Sequence, residues 1–270
     1  MKTSTEVRED VKEYYGKILK TKNDLQTSAC CAADSMPAYL RPYLKNIHEE
    51  VQSRFYGCAS TFPPALYGKT VVDLGCGSGR DCYLLAQVIG PDGLVIGIDM
   101  TDEQLAVARK HVAYHTSKFS LDKPNVDFRK GWIEDLATAN LEDNSVDVII
   151  SNCVVNLSPD KESVFREIFR VLKPGGQLVI CDAGKANWFH GLAGRIWMAT
   201  IVQLIARVIT KEKDHPWKGL ARTYSHYGTN GYYRKIMREV GFDDVQGRLL
   251  LPFGMSSRFR AFKPKRGSEA

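Results

Sequence analysis

The stretch Val72-Asp73-Leu74-Gly75-Cys76-Gly77-Ser78-Gly79-Arg80 determines how the rest of the chain is interpreted. An apolar run, Thr70–Leu74, leads directly into three glycines spaced G-x-G-x-G. Such a run predicts a buried strand, and the glycines predict a tight turn that lets the backbone approach a ligand. The dinucleotide fingerprint needs a small residue where Arg80 stands. The loop therefore predicts a nucleoside ligand rather than a bound pyrophosphate.

Apolar runs alternate with helical stretches on the C-terminal side of this loop. Strands are predicted at 70–74, 94–98, 126–128, 146–150 and 177–181, and helices at 81–89, 101–115 and 160–172. Such alternation predicts a doubly wound α/β fold with a mostly parallel sheet covered on both faces. A final helix at 232–240 and an antiparallel hairpin of strands at 245–251 and 256–262 complete a seven-stranded sheet.

The sequence pattern divides the chain into three parts. Residues 1–68 are polar and punctuated by prolines, which predicts a helical N-terminal cap. Residues 69–183 form the predicted Rossmann-like core. Residues 184–270 form a C-terminal region that is predicted to complete the sheet and cover the substrate. Its apolar segment 188–210 contains arginines, so we expect a helix packed on the protein, with membrane-surface contact as the alternative.

Composition excludes several classes of protein. The 270 residues are 44% hydrophobic and 25% charged, which is typical of a globular chain. The net charge of +6 comes without a dense basic and aromatic stripe, so no nucleic-acid partner is expected. Seven cysteines are too few for a disulfide scaffold, and the N-terminus lacks the apolar core of a signal peptide. We expect a cytoplasmic monomer.

Polar residues at the ends of the predicted strands indicate the ligand. Asp99 ends the second strand, roughly twenty residues after the glycine loop, where a carboxylate binds both ribose hydroxyls. Met100 follows and is placed to pack on an adenine ring. Asp73 precedes the glycines and suits a positively charged ligand. An adenosine without phosphates, beside a cationic centre, describes S-adenosylmethionine, which is the predicted cofactor.

Together with the turn Pro174-Gly175-Gly176, these features resemble the class I S-adenosylmethionine-dependent methyltransferases over residues 68–183. The resemblance implies that the glycines hold the methionine part and that residues 132–134 contact adenine. It also implies that the methyl acceptor lies beside Asn152 and Cys153. The cofactor-binding residues expected are Asp73, Gly75, Gly77, Gly79, Arg80, Asp99, Met100, Trp132, Ile133, Glu134 and Asn152.

The cysteines suggest the chemistry of the acceptor. Cys58 and Cys153 come from separate segments, and Cys153 is expected beside the methyl donor. Two thiolates near such a donor favour a soft, thiophilic acceptor, and a trivalent arsenical fits because its own lone pair can attack the methyl carbon.

Several motifs narrow the resemblance to the arsenite methyltransferases. They are Tyr14-Tyr-Gly-Lys-Ile-Leu-Lys-Thr21, His48-Glu-Glu-Val51, Tyr56-Gly-Cys58, Arg80-Asp-Cys-Tyr83, Gly97-Ile-Asp-Met100 and Ser151-Asn-Cys-Val-Val-Asn-Leu157. The resemblance implies that Cys58 and Cys153 are arsenic ligands and that Cys30 or Cys31 relays a disulfide after turnover. A thiol reductant such as glutathione or thioredoxin is then an expected partner.

The C-terminal third departs from that family. Many members carry a further arsenic-binding cysteine there, whereas no cysteine follows Cys181 in this chain. We therefore expect monomethylated trivalent arsenic, which needs only two thiolates, to be accepted at least as well as arsenite. A third thiolate from Cys181 is the alternative.

Two further interpretations remain. In the first, the acceptor is an organic molecule, such as a quinone, a lipid-like compound or a thiol. It would bind under segment 188–210, with His190, His226 or Tyr224 as a base. In the second, the protein is a non-catalytic metalloid sensor. Failure to bind S-adenosylmethionine would favour this interpretation.

Overall fold

A central sheet organises the structure, a computed structural model that describes residues 3–18, 36, 38–57, 61–183, 185, 188–201, 203–204, 228–249 and 256–265. Its strands are β1 (Thr70–Leu74), β2 (Leu94–Asp99), β3 (Val126–Lys130), β4 (Val146–Asn152), β5 (Leu172–Ala183), β6 (Asp243–Leu249) and β7 (Ser256–Phe262). Within these residues the order is β3-β2-β1-β4-β5-β7-β6. The first five strands pair in parallel, and β7 is antiparallel to both β5 and β6. This confirms the predicted seven-stranded, mostly parallel sheet.

Helices flank the sheet in the alternation that the sequence predicts. They are α1 (Ser4–Glu13), α2 (Arg41–Leu44), α3 (Glu49–Ser53), α4 (Arg80–Ile89), α5 (Asp102–Lys110), α6 (Val112–Lys118), α7 (Lys161–Val171), α8 (Trp188–Ala199) and α9 (Asn230–Val240). A π-helical turn, Tyr14–Ile18, extends α1, and short 3₁₀ turns occupy Leu136–Ala139 and Val155–Leu157. No helix among the described residues is long and apolar enough to cross a membrane.

Two groups of buried apolar side chains cover the faces of the sheet. One group joins the sheet to α7 and α9, through residues such as Phe165 and Met237. The other joins it to α4, α5 and the cap, through Leu40, Val51 and Tyr83. Because burial of apolar area is the main favourable term in folding, the cap helices contribute to the same core as the sheet.

The bounds of the predicted elements agree with the structure to within two residues, except in two elements. The helix predicted over 101–115 is divided at His111, whose dihedral angles (φ −100°, ψ 8°) leave the helical region between α5 and α6. The fifth strand begins at Leu172, before the glycine turn, rather than at residue 177. The pairing shifts between Val146↔Leu172 and Val148↔Gln177, so the glycine turn is accommodated as an irregularity inside the strand.

The strand order places the candidate site. The chain runs outward from β1 through β2 to β3, and the other half of the sheet begins with β4 on the opposite side of β1. In open α/β sheets, ligands bind at the carboxyl ends of the strands where the order reverses in this way. The loops that follow β1 and β4, which carry the glycines and Cys153, therefore meet at one edge.

Candidate functional site

A cleft of about 1010 Å³, counting the space that opens to solvent, lies at the carboxyl ends of β1, β2 and β4. Ten residues singled out in the sequence line it: Asp73, Gly75, Gly77, Asp99, Met100, Trp132, Ile133, Glu134, Asn152 and Cys153. Among the described residues, Gly79 and Arg80 lie outside this lining. Cys30, Cys31 and Cys58 fall outside the described residues.

The glycine loop is held against the end of β2 by backbone hydrogen bonds. The amides of Gly75 and Cys76 both donate to the carbonyl of Ile98, at 2.8 and 3.0 Å. Gly77 has a φ of +53°, and an added Cβ there meets no atom within 4 Å. Since none of the described residues fills this space, the backbone of Gly77 is open to a ligand on the described side.

Gly79 and Arg80 have structural roles instead. Gly79 caps α4 with a φ of +84°, and an added Cβ would lie 2.7 Å from the ring of Phe128. Arg80 forms an ion pair with Asp81 at 2.6 Å, and its guanidinium lies 3.0 Å from the centroid of the Phe55 ring. These contacts tie the start of α4 to the core and to the segment after α3.

Two carboxylates, the buried Asp73 and the partly buried Asp99, line the cleft side by side with the glycine loop. Asp99 accepts hydrogen bonds from the amides of Gly77 and Thr101, both at 2.9 Å. Burial raises the pKa of Asp99, and these amides oppose the rise. Burial, with the nearby charge of Asp81, raises the pKa of Asp73 well above its usual value. Buried carboxylates of this kind favour a ligand that brings positive charge.

The far end of the cleft is covered by the first helix. Glu134 accepts from the hydroxyl of Ser158 at 2.6 Å and pairs with Arg8 of α1 at 3.4 Å. The guanidinium of Arg8 also lies 5.7 Å from the centroid of the Trp132 ring. The loop after β3 and helix α1 thus form one wall, suited to a flat aromatic ring.

Several lining residues have no clear signal in the sequence. Arg8 and Val11 reach the cleft from the N-terminal cap, and Gln104 reaches it from α5, whereas Tyr15 beside them belongs to the motif Tyr14–Thr21. Gln104 donates from Nε2 to the carbonyl of Tyr15 at 2.8 Å. Its buried Oε1 has no hydrogen-bond partner among the described residues. A buried acceptor without a donor costs free energy of folding, and a ligand that donates a hydrogen bond to it removes this cost. The amino and hydroxyl groups of an adenosine are donors of this kind.

Cys153 lies at the end of β4, where the sequence places the methyl acceptor. Its φ is +63°, an uncommon conformation for a residue with a side chain. Its amide donates to the carbonyl of Cys181 at 2.7 Å, and the residue is disulfide-bonded. Asn152 beside it donates from Nδ2 to Asp81 at 3.2 Å. A sulfur therefore shares the cleft with the glycine loop and Asp99.

The remaining described cysteines are Cys76, Cys82 and Cys181, and of these Cys76 lines the cleft. Both Cys76, within the glycine loop, and Cys82, in the first turn of α4, are buried free thiols. Cys181 is fully buried in β5 and is not part of the cleft lining described by the structure. This placement does not favour Cys181 as the third thiolate.

Comparisons with known proteins identify the family of the chain. The family model described as a methyltransferase domain matches residues 67–239. The chain is 57% identical over 176 residues to the arsenite methyltransferase of Aquipseudomonas alcaligenes, covering 65% of this chain and 50% of that protein. It spans about half the length of the curated relatives it matches first.

Two more relatives have names that give different methyl acceptors. The crystal structure of an arsenic(III) S-adenosylmethionine methyltransferase from Chlamydomonas reinhardtii matches with a TM-score of 0.64 and 31% identity, over 86% of this chain and 75% of that one. The demethylmenaquinone methyltransferase of Listeria monocytogenes is 35% identical over 183 residues, 66% of this chain and 72% of that protein. The chain thus belongs to the methyltransferase-domain family of class I S-adenosylmethionine methyltransferases and, within it, to the arsenite methyltransferase group.

Proposed function

We propose that this protein transfers a methyl group from S-adenosylmethionine to a trivalent arsenical held by cysteine thiolates. The observation that carries the proposal is the position of Cys153, which lines the same cleft as the glycine loop and Asp99. The arsenite methyltransferase relatives support the choice of acceptor. A cytoplasmic location and a monomeric state stay predictions.

The residues of the cleft bind and orient both reactants. When bound, S-adenosylmethionine supplies an activated methyl group on a sulfonium centre. Asp99 accepts from the ribose hydroxyls, Gln104 accepts from a donor of the adenosine, and the carboxylate of Asp73 complements the positive charge. Holding two reactants in line lowers the entropic part of the barrier by roughly 7–11 kcal/mol in favourable cases.

The arsenical needs no general base. Its lone pair forms the new arsenic–carbon bond while the carbon–sulfur bond of the donor breaks, and arsenic is oxidised from the trivalent to the pentavalent state. A thiol reductant of the glutathione or thioredoxin class returns arsenic to the trivalent state, and Cys30 or Cys31 relays the disulfide. Because Cys153 is disulfide-bonded in this structure, reduction must precede its use as a ligand with Cys58.

A product assay tests the proposal. The purified chain is incubated with S-adenosylmethionine and a thiol reductant, and arsenite or monomethylarsenite is supplied in separate reactions. Products are resolved by chromatography with elemental detection. We expect methylated arsenic from both, with monomethylarsenite used at least as well, because it needs only two thiolates. Absence of product from either acceptor, with the donor still bound, would contradict the proposal.

The substitution Cys153→Ser should separate acceptor binding from donor binding. Product formation should fall at least about a hundredfold, the scale of loss that misplacing a reactant causes, while the calorimetric affinity for S-adenosylmethionine stays unchanged. The matched control is Cys181→Ser, a change at a buried cysteine outside the described cleft lining, and it should keep its product yield. Equal losses in both variants would instead assign Cys181 an acceptor role.

An organic acceptor is the second candidate. Two observations favour it: the likeness to a demethylmenaquinone methyltransferase, and the exposed apolar side chains of Leu192, Ile196 and Trp197 on α8. A demethylated naphthoquinone offered in the same assay separates the candidates. Methylated quinone without methylated arsenic would establish the organic acceptor.

A further inference from the structure

A cluster of two imidazoles and a carboxylate lies outside the cleft lining. The nitrogen and oxygen atoms that His48, Glu50 and His111 offer as ligands all lie within 4.8 Å of one another. His48 and Glu50 belong to the motif at the start of α3, whereas His111 separates α5 from α6. The cluster therefore connects the N-terminal cap to the core. It takes no part in the methyl transfer proposed above.

The donor set and its spacing suit a divalent transition metal. Two histidines and one glutamate, with a water in the fourth position, form a recognised tetrahedral zinc sphere. Nε2 of His111 lies 2.8 Å from Oε2 of Glu50, and the rings of His48 and His111 stack with centroids 3.8 Å apart. A metal would replace the hydrogen bond between His111 and Glu50, and the two imidazoles would rotate out of their stacked arrangement so that a nitrogen of each faces it.

One cation competes for the same oxygen. The ammonium of Lys110 lies 2.7 Å from Oε2 of Glu50, and this lysine side chain is 63% exposed. A flexible, exposed lysine is readily displaced into water, so a metal ion can replace its ammonium beside Glu50. Tyr114 stands edge-on to His48, with ring centroids 5.1 Å apart, and adds an apolar wall.

We infer that His48, Glu50 and His111 bind a divalent cation of the zinc class that joins the cap to α5. The inference does not depend on which acceptor the enzyme methylates. It rests on a donor set assembled from two separate parts of the chain. The described competitors are the exposed ammonium of Lys110, at Glu50, and the amide of Glu50, which donates to Nδ1 of His48 at 3.1 Å.

The same cluster is connected to the donor side of the cleft. The hydroxyl of Ser78, in the glycine loop, donates to the carbonyl of Val51 in α3 at 2.9 Å. The segment that follows α3, Arg54–Gly57, lines the cleft. A metal that fixes the start of α3 would hold this segment and the loop in their ligand-binding positions, so metal binding should tighten the binding of S-adenosylmethionine.

Cobalt(II) titration tests the site directly, because cobalt reports its ligands spectroscopically. The full chain is kept reduced with a phosphine and titrated with cobalt alone. We expect one equivalent of cobalt to give the visible bands of a tetrahedral site without the near-ultraviolet thiolate transition. Added zinc should displace the bound cobalt and abolish these bands. The variants Glu50→Gln and His111→Gln should bind at least about tenfold more weakly, as loss of metal-site groups usually causes.

Lys110→Ala is the matched control, since it alters an exposed side chain and should leave the fold intact. It should bind cobalt more tightly than the wild-type chain, because the competing ammonium is gone. A thiolate transition, or equal affinity in all variants, would assign the metal to cysteines and overturn the inference. Zinc should also raise the affinity for S-adenosylmethionine in the wild-type chain and not in His111→Gln; no change in either would overturn the connection to the cleft.

Discussion

At the scale of single residues, the cleft depends on two carboxylates that are largely shielded from water. Asp73 is buried and Asp99 is partly buried, and desolvation raises the pKa of both, that of Asp73 well above its usual value. In the ligand-free protein, ionisation of these groups costs stability as the pH rises through the raised values. A cationic ligand reverses this preference, because it stabilises the ionised forms.

Affinity for S-adenosylmethionine should therefore depend on pH. It should be full where both carboxylates ionise and should be lost as the pH falls through their raised pKa values. Calorimetric dissociation constants between about pH 5 and about pH 8 measure this, a range in which ordinary carboxyls no longer titrate. The dissociation constant of S-adenosylhomocysteine, which has a neutral sulfur, should depend less steeply on pH. The dissociation constant of S-adenosylmethionine from Asp73→Asn should also depend less steeply on pH. Parallel slopes for the two ligands would show that the carboxylates do not sense the sulfonium.

Gln104 should act as an adenosine ligand, and a second glutamine supplies its control. Gln104→Leu should weaken binding of S-adenosylmethionine by roughly tenfold, since a net hydrogen bond contributes about 0.5–1.5 kcal/mol and 1.4 kcal/mol is tenfold. Gln87 donates to the cap carbonyl of Tyr43 at 3.2 Å, much as Gln104 donates to Tyr15, but lies outside the described cleft lining. Gln87→Leu should leave the affinity unchanged; a similar loss there would indicate an effect through the cap.

At the scale of elements, the turn from β1 to α4 combines two demands on its glycines. Gly77 and Gly79 both have positive φ values, +53° and +84°. Of these two, only Gly79 also packs against neighbouring side chains, since an added Cβ would lie 2.7 Å from Phe128 and 3.3 Å from Ala108. The first glycine leaves room for a ligand, whereas the second allows helix α4 to approach β3.

This difference predicts unequal costs of substitution. Gly77→Ala should destabilise by about 1–2 kcal/mol, the cost of left-handed backbone for a residue with a Cβ. Gly79→Ala should cost a further 1–3 kcal/mol or so, because overpacking is added to the strain. Urea unfolding of both variants measures the difference. Equal free energies of unfolding would mean that Phe128 moves aside without cost.

At the scale of the whole molecule, the cap and the sheet share a core. Leu40 is 1% exposed and packs in the same group of side chains as Tyr83 of α4, whereas its neighbour Tyr39 is 61% exposed. The cap should therefore unfold together with the sheet, in one cooperative transition, and not as a separate unit.

Substitutions at these two neighbours test the shared core. Leu40→Ala should lower the free energy of unfolding by about 2–5 kcal/mol, the range for a truncated core side chain. Tyr39→Ala should change it by less than about 0.5 kcal/mol, as is usual at the surface. The checks are urea unfolding followed by far-ultraviolet and near-ultraviolet circular dichroism. Transitions that do not coincide in the wild-type chain would show that the cap unfolds independently.

Local patterns in the sequence were enough for the parallel strands and the glycine loop, because apolar runs and glycine spacing are short-range features. They also placed Asp99 and Cys153 at strand ends, where the structure finds them lining one cleft. The position of β7 between β5 and β6, and the division of one predicted helix at His111, required the tertiary structure. So did Arg8 and Gln104 on the cleft wall, and the ion pair that turns Arg80 toward Asp81. These features depend on contacts between residues far apart in the chain, or on competition between neighbouring charges, and neither leaves a periodic signal in the sequence.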